Sequence, residues 1–365
     1  MRKVLSIALG VLLTACSTKV PAMTPEETKR VEQFAARPTT RCVGRYLIDL
    51  PEAFVMNIES KGAQVDGMKI VDVRPMNKTR FDLTLADRET ELRKARIIGE
   101  QMPSLDAVHP LPGNTGVVFD RSESGELAAY RTLELHGWKD GYAIEMRINS
   151  RDLTKAKRLY SGETRDTNTP QKLAHLLKGY ERIRGRANDE IPTEKGLCIS
   201  NGFIAGPAIE EEVVGYLFDL KDSPDVYFRF TENGNLHEET TLLQRSGQVE
   251  GEMSASGTKT IRKGKREIGE LPYEEWLMHG PTPDRVPGTM FTLLGNEVAE
   301  GADKPFVKLL LYNGFRVVQP RNLTDKQKEQ LGLYKSLERA TLSEVEALAI
   351  WDKVTPTLRP RPGAF

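Results

Sequence analysis

Three cysteines, five histidines and a run of adjacent glutamates are the side chains of this 365-residue chain whose types and spacing could support covalent, ligating or proton-transfer chemistry. The histidines, His109, His136, His175, His237 and His279, stand singly, with neither an H-E-x-x-H pair nor a cysteine at ligand spacing, so no metal centre is expected. His175 falls on the apolar repeat of a helical stretch, which is the place of a core or boundary residue. A serine hydrolase of the α/β type would show G-x-S-x-G at a strand-to-helix elbow. The nearest approach, GEMSASG at 251–257, fails that spacing, and no glycine-rich phosphate loop precedes a helix. Glu210, Glu211 and Glu212 open a strand-like stretch and are expected to be a solvated edge that discourages edge pairing. The expectation is therefore no catalytic residue, no cofactor and no metal, unless groups distant in sequence converge.

The first cysteine belongs to an address. Arg2 and Lys3 precede an apolar run from Val4 to Leu13, and Leu-Thr-Ala-Cys ends it at Cys16. The run is far short of the ~20 residues of a membrane-spanning helix and has the basic head and small-residue exit of a secretory signal. Its ending matches the bacterial lipobox, in which the cysteine thiol takes a diacylglyceryl group and becomes the mature N-terminus. Ser17, and not Asp, follows, which favours the outer membrane. Residues 1–15 are thus read as a signal peptide, Cys16 as the lipid attachment, and the body as periplasmic, since charge interrupts every later apolar stretch.

Two cysteines remain in an oxidising compartment, where a disulfide persists. CVGRYLIDLP runs from Cys42 to Pro51 and CISNGFIAGP from Cys198 to Pro207, with Ile48 and Ile204 six residues after each cysteine and the prolines nine after. One element is used twice. Downstream, residues 169–186 and 342–361 are each an amphipathic helix with an arginine-rich exit. Cys42 and Cys198 are expected to bond across the two domain heads; two buried free thiols are the alternative.

Around these residues the elements alternate in type. Thr24 caps a helix with Pro25 at its first position. Strands are expected at 45–50, 53–59 and 68–73, then a helix from Leu83 to Ile98. A hairpin turns at Lys139-Asp140-Gly141. In the second half two strands flank a turn at 223–225, followed by a helix near 238–248, strands near 258–270, 287–294 and 305–312, and a closing helix. This is an α+β chain of two tandem related domains, each a mainly antiparallel sheet with helices packed on one face. The expected division is a tether and N-terminal helix at 16–40, domains at 41–188 and 197–365, and a linker at 189–196. Fifty-two basic and 52 acidic residues, near neutrality, argue against nucleic acid. The basic group Lys259, Arg262, Lys263, Lys265 and Arg266 reads as a solvated hairpin face.

Lipobox, helix, C-x-G-R-Y-L-I-D-L-P, the later C-I-x-x-G-F-I and the terminal LSEVEALAIWDKVTPTLRPRP together resemble the two-domain immunity proteins that neutralise type VI secretion lipase effectors. The resemblance covers nearly all of the mature chain. It implies a non-catalytic periplasmic protein that binds a phospholipase delivered by sister cells; the chain is expected to be monomeric before it meets that partner. Its motifs are scaffold motifs, so they name no interface residue. The competing readings are a structural or assembly lipoprotein of the outer membrane and a periplasmic hydrolase.

Overall fold

Thr24 caps the first helix as its position predicts. In the computed structural model, which describes residues 21–57, 60, 62–97, 103–122, 127–156, 162, 164–269, 271–299, 301–316 and 337–365, α1 spans Pro25–Phe34 with Thr24 and Glu27 capping each other reciprocally. There follow β1 (Pro38–Val43), β2 (Tyr46–Pro51), β3 (Phe54–Met56), β4 (Ala63–Val65), β5 (Met68–Pro75) and α2 (Lys78–Lys94). A four-stranded meander, β6 (Leu105–Pro110), β7 (Gly116–Arg121), β8 (Tyr130–Lys139) and β9 (Tyr142–Arg151), leads to α3 (Thr169–Glu181) and β10 (Ile183–Gly185). The second half runs through β11 (Gly196–Ile199), β12 (Gly202–Ala205), β13 (Glu212–Leu220), β14 (Ser223–Asn233) and α4 (Leu242–Ala255). Its meander is β15 (Lys259–Ile268), β16 (Leu271–Pro281), β17 (Pro287–Gly295) and β18 (Phe306–Asn313), closed by α5 (Glu344–Val354) and β19 (Arg359–Pro360).

Among the described residues, twelve strands form one antiparallel sheet in the order β15-β16-β17-β18-β14-β13-β4-β5-β9-β8-β7-β6, with β3 added on β13. Read outward from the β13/β4 boundary, the two halves are the same list: β4-β5-β9-β8-β7-β6 answers β13-β14-β18-β17-β16-β15. The tandem repeat has therefore folded as a pseudo-dimer about an internal two-fold axis, with Glu212 opposite Val65 and Val214 opposite Ala63 at the seam. Such a seam removes two edges that separate domains would expose to aggregation.

The hairpins that open the repeats are exchanged across this axis. β1–β2 takes β19, the last strand of the second half, as its third strand; β11–β12 takes β10, the last strand of the first half. Tyr46 of the first hairpin lies against Phe230 and Phe365, and β3 just after it pairs with β13. The second hairpin sits over the first half, where there is no room for a Cβ at Gly202 beside Ile199 and Val73 or at Gly185 beside the Tyr142 ring. Gly202 thus marks a place where the second hairpin meets the first repeat, and Gly185 one where β10 closes on β9 of its own repeat.

Helices flank both sheet faces, not one. On β8, Gly137 packs against Tyr180 of α3, while Glu134, of opposite parity, takes Arg88 of α2. On β16, Glu275 accepts from Trp351 of α5, while Trp276 and Met278 pack with Leu242 of α4. The inner layer therefore holds α3, α5 and the exchanged hairpins over one continuous core, and the outer layer holds α2 and α4. Trp351 is fully buried, its ring 5.8 Å from that of Phe291.

Several boundaries differ from expectation. α2 begins at Lys78 because Asn77 caps it through Arg80 N, and it stops at Lys94. The β13–β14 turn is Lys221-Asp222, with Asp222 at φ 61°, and residues 223–225 already belong to β14. α4 lies later than foreseen, capped by Thr241. Strands β1, β4, β6, β7, β10, β11, β16 and β19 were not expected. No described helix is long and apolar enough to cross a membrane.

Candidate functional site: the junction of the repeats and the open outer face

The two cysteines meet where the hairpins cross. Cys42 and Cys198 are joined, their Cα atoms 5.9 Å apart and both side chains buried. A bond between equivalent residues straddles the pseudo-two-fold axis. It closes 156 residues of chain, a constraint on the unfolded state of about 5 kcal/mol by loop-closure entropy.

Buried arginines complete the junction. In the β1–β2 turn, Arg45 is 1% exposed. Its guanidinium donates twice to Glu212, Nε to Oε2 and Nη2 to Oε1, both at 2.8 Å, and also to the carbonyls of Pro207 and Ala364. Its backbone amide donates to Glu232 Oε2 at 2.7 Å. Burial pushes the Glu232 carboxyl up to about 8, an effect that the Arg45 amide opposes and nearby Glu212 reinforces. The arginine-rich exits of the two inner helices supply Arg186 and Arg361, both buried. Arg186 donates to the carbonyls of Glu190 at 2.6 Å, Gly202 at 3.1 Å and Ile199 at 3.2 Å; Arg361 donates to those of Gly196 at 2.6 Å, Pro192 at 2.7 Å and Glu194 at 2.8 Å. They satisfy carbonyls of an irregular segment that burial would otherwise leave without partners. The linker is held from both sides.

Glu212 departs from the reading of the 210–212 run as a solvated edge, being buried on a strand paired on both sides, while Glu210 and Glu211 are exposed as expected. The partner of Glu212 stands 167 residues earlier in the chain, so no local pattern could reveal it. The basic group on β15 is likewise more ordered than a solvated face: Lys259 pairs with Glu344 at 2.7 Å, Lys263 with Glu250 at 2.5 Å, and Arg262 with Glu275 and Asp352.

The densest group of functional side chains was not foreseen. Glu134 and His136 of β8 and Glu145 of β9 place their ligand atoms within 4.8 Å of one another. Arg88 holds Glu134 through Nε at 2.7 Å and Nη2 at 2.9 Å, Arg121 Nε lies at 2.5 Å and His136 Nε2 at 2.7 Å. Burial pushes the Glu134 carboxyl up, but the hydrogen bonds from His136 and Arg88 and the charge of Arg121 outweigh it and hold it well below the carboxylate range. Its oxygens are already occupied, and the surrounding guanidinium groups repel a dication, so the donor set does not fit a metal. The adjoining cavity under α2 has about 20 Å³, room for roughly one water. The cluster ties α2 to the sheet and offers no substrate a place. His175, at the boundary as expected, hydrogen-bonds the Asp66 carbonyl at 2.9 Å.

Between α2 and α4 the outer face of the sheet is open. Alternation along β13 leaves Val213, Gly215, Leu217 and Asp219 half-buried, while Val214, Tyr216, Phe218 and Leu220 fill the core. Next to them Tyr227 and Tyr312 stack at 4.8 Å, Phe315 meets Tyr312 edge-on, and Arg229, two residues along β14 from Tyr227, is exposed. Across the seam the same face continues through Gln64 and Lys69. Cys16 and the signal segment lie outside the described residues.

Comparison with known proteins places this architecture. The chain matches the Tle cognate immunity protein 4 N-terminal domain over residues 39–186 and the C-terminal domain over residues 190–363. No curated protein matches it. Among solved structures, the Tle4–Tli4 complex contains a chain of the same fold at a TM-score of 0.66 and 24% identity, covering 90% of this chain and 99% of that one. The apo immunity protein TplEi of the type VI secretion system of Pseudomonas aeruginosa gives a TM-score of 0.64 at 23% identity, covering 90% and 98%. Its complex with an "L" peptide gives 0.60 at 23%, covering 90% and 99%. The fold is thus that of a two-domain α+β immunity protein. The chain belongs to the Tle cognate immunity protein 4 family, and its function is immunity to a type VI secretion lipase effector.

Proposed function

We propose that this protein binds its cognate lipase in the periplasm as a stoichiometric, non-catalytic inhibitor, monomeric until it does so and anchored to the outer membrane through a diacylglyceryl group on Cys16. Residues 41–188 and 197–365 act as its two domains, with 189–196 as the linker between them, and the lipase docks on the outer sheet face between α2 and α4. The observation that carries this reading is that face: half-buried apolar and aromatic side chains with an arginine among them, the composition of interface anchors. A junction bonded at Cys42–Cys198 and filled by Arg45, Arg186 and Arg361 pre-organises it, which lowers the ordering cost of binding. The lipid anchor confines inhibitor and lipase to the same surface and raises their effective concentration.

Titration of residues 21–365 against the lipase encoded beside it tests the reading. Activity should fall linearly and vanish at equimolar protein. Protection at substoichiometric amounts would make the protein an enzyme that repairs the damage, and absence of binding would leave the structural-lipoprotein reading.

A further inference from the structure

The chain start is fixed to one end of the molecule. Although α1 precedes the first repeat, it packs on α5 of the second. Val31 is buried, the Arg30 fork grips Glu346 with Nε to Oε1 at 2.7 Å, Arg30 Nη2 reaches the Thr341 carbonyl at 3.2 Å, and Ser343 Oγ donates to Glu27 Oε1 at 2.7 Å. Ahead of α1, Pro21 and Ala22 line a groove with Lys259–Ile261 of β15 and Ser343–Val345. β15 is the outermost strand of the sheet on the second-repeat side.

Four residues, 17–20, lie between Cys16 and Pro21, five steps along the chain. Fully extended they span at most about 18 Å, whatever conformation they take. The opposite edge, β6, lies eleven inter-strand steps from β15, roughly 50 Å along the sheet at about 4.8 Å per step. We infer that the β15 edge, with the N-terminus of α5, is the face that lies against the phospholipid bilayer, and that the first repeat is the end presented away from it. This rests on the lipid anchor at Cys16 proposed above.

Charge is not what holds the surface there. Lys259, Arg262 and Lys263 already face Glu344, Glu275, Asp352 and Glu250, so the edge presents little net attraction to anionic lipid. The short tether sets the contact, and the contact should therefore resist salt, unlike a polybasic membrane site.

Photo-crosslinking in cells distinguishes the orientation from the anchor. p-Benzoylphenylalanine replaces Lys259 or Lys263 on the β15 edge, or Leu83, 65% exposed on α2, in full-length protein from cells grown in [32P]phosphate. The thioether-linked diacylglyceryl carries no phosphorus, so 32P in the protein band reports crosslinked lipid alone, and palmitate incorporation reports the anchor separately. The expected result is 32P at 259 and 263, little at 83, and no loss in high salt. Inserting about 40 Gly/Ser residues after Ser17 lets the body stand off by roughly 35 Å and should cut the 259 signal several-fold with palmitate unchanged. Equal labelling at 83, no labelling at 259 and 263 in palmitate-bearing protein, or a 259 signal indifferent to the insertion would each overturn the orientation. Loss of palmitate labelling in the parent would instead remove the anchor, and the orientation with it.

Discussion

Glu232 is buried against Gly44 and holds its proton to about pH 8 because burial penalises the carboxylate more than the Arg45 amide stabilises it. The unfolded chain releases that proton near the usual 4.5. Between these values the folded state binds more protons than the unfolded one, so stability falls as pH rises from about 4.5 to about 8 and is level beyond. Glu232→Gln should flatten this slope, measured as urea midpoints across the range; a variant with the wild-type slope would assign the proton elsewhere. Gly44 is the other constrained residue here, at φ +62° with a Cβ brought to 1.9 Å from Glu232 Oε2. Gly44→Ala should cost roughly 2–4 kcal/mol in chemical denaturation, through backbone strain and the displaced acid. The sequence displays Gly44 and Arg45 plainly in GRYLIDLP but not their purpose. Their partners, Glu212 and Glu232, lie 167 and 187 residues away, and period and composition report only neighbours. Glu134 was hidden for the same reason, since Arg88 is 46 residues off.

At the scale of elements, legibility followed local chemistry. The β8–β9 hairpin was readable because Asp140 and Gly141 both adopt positive φ, 47° and 85°, as a tight hairpin turn demands. α1 was readable from Thr24 as its cap and Pro25 at its first position. β16 was missed because its LPYEEWLMHGP places Glu274 and Glu275 side by side and blurs the alternation, although Glu275 is fully buried under Arg262 and Trp351. α2 was entered late because its first turn, Lys-Thr-Arg, carries no apolar signal before Phe81. The open outer face makes a prediction of its own. Tyr312 and Arg229 are partly exposed and lie on adjacent strands, so truncating them leaves the core intact. Arg229→Ala and Tyr312→Ala should each weaken lipase binding by about 2 kcal/mol if they are central anchors, read by calorimetry, with denaturation midpoints near wild type. Equal affinity in both variants would move the interface off this face.

For the molecule as a whole, the repeat was visible in the matched cysteine and proline spacings, but the exchange of hairpins was not, because a hairpin's sequence does not say which sheet it will cover. The exchange changes what the halves can do alone. Residues 24–188 lack β11–β12, so β10 loses its partner strand and Arg186 loses the carbonyls of Glu190, Ile199 and Gly202. Residues 197–365 lack β1–β2 and β3, which strips β13 of a neighbour, leaves Glu212 without Arg45 and exposes Phe228 and Phe230. Unpaired buried charge and bare core on this scale exceed the 5–15 kcal/mol that typically separates a domain from its unfolded state. Each half expressed alone should therefore be poorly soluble and unprotective, whereas both expressed together in the periplasm should assemble, join through Cys42 and Cys198, and rescue a host from the lipase. A native-like fold in either half alone, seen as cooperative unfolding and dispersed amide resonances, would mean that the hairpins decorate the halves and do not complete them. The disulfide should matter most in that two-chain form, because it then supplies a covalent link that the intact chain has in any case through residues 189–196. Cys42→Ser with Cys198→Ser should abolish rescue by the separated halves while the same pair of changes in the intact chain, lowering stability by up to about 5 kcal/mol, still protects wherever enough folded protein accumulates.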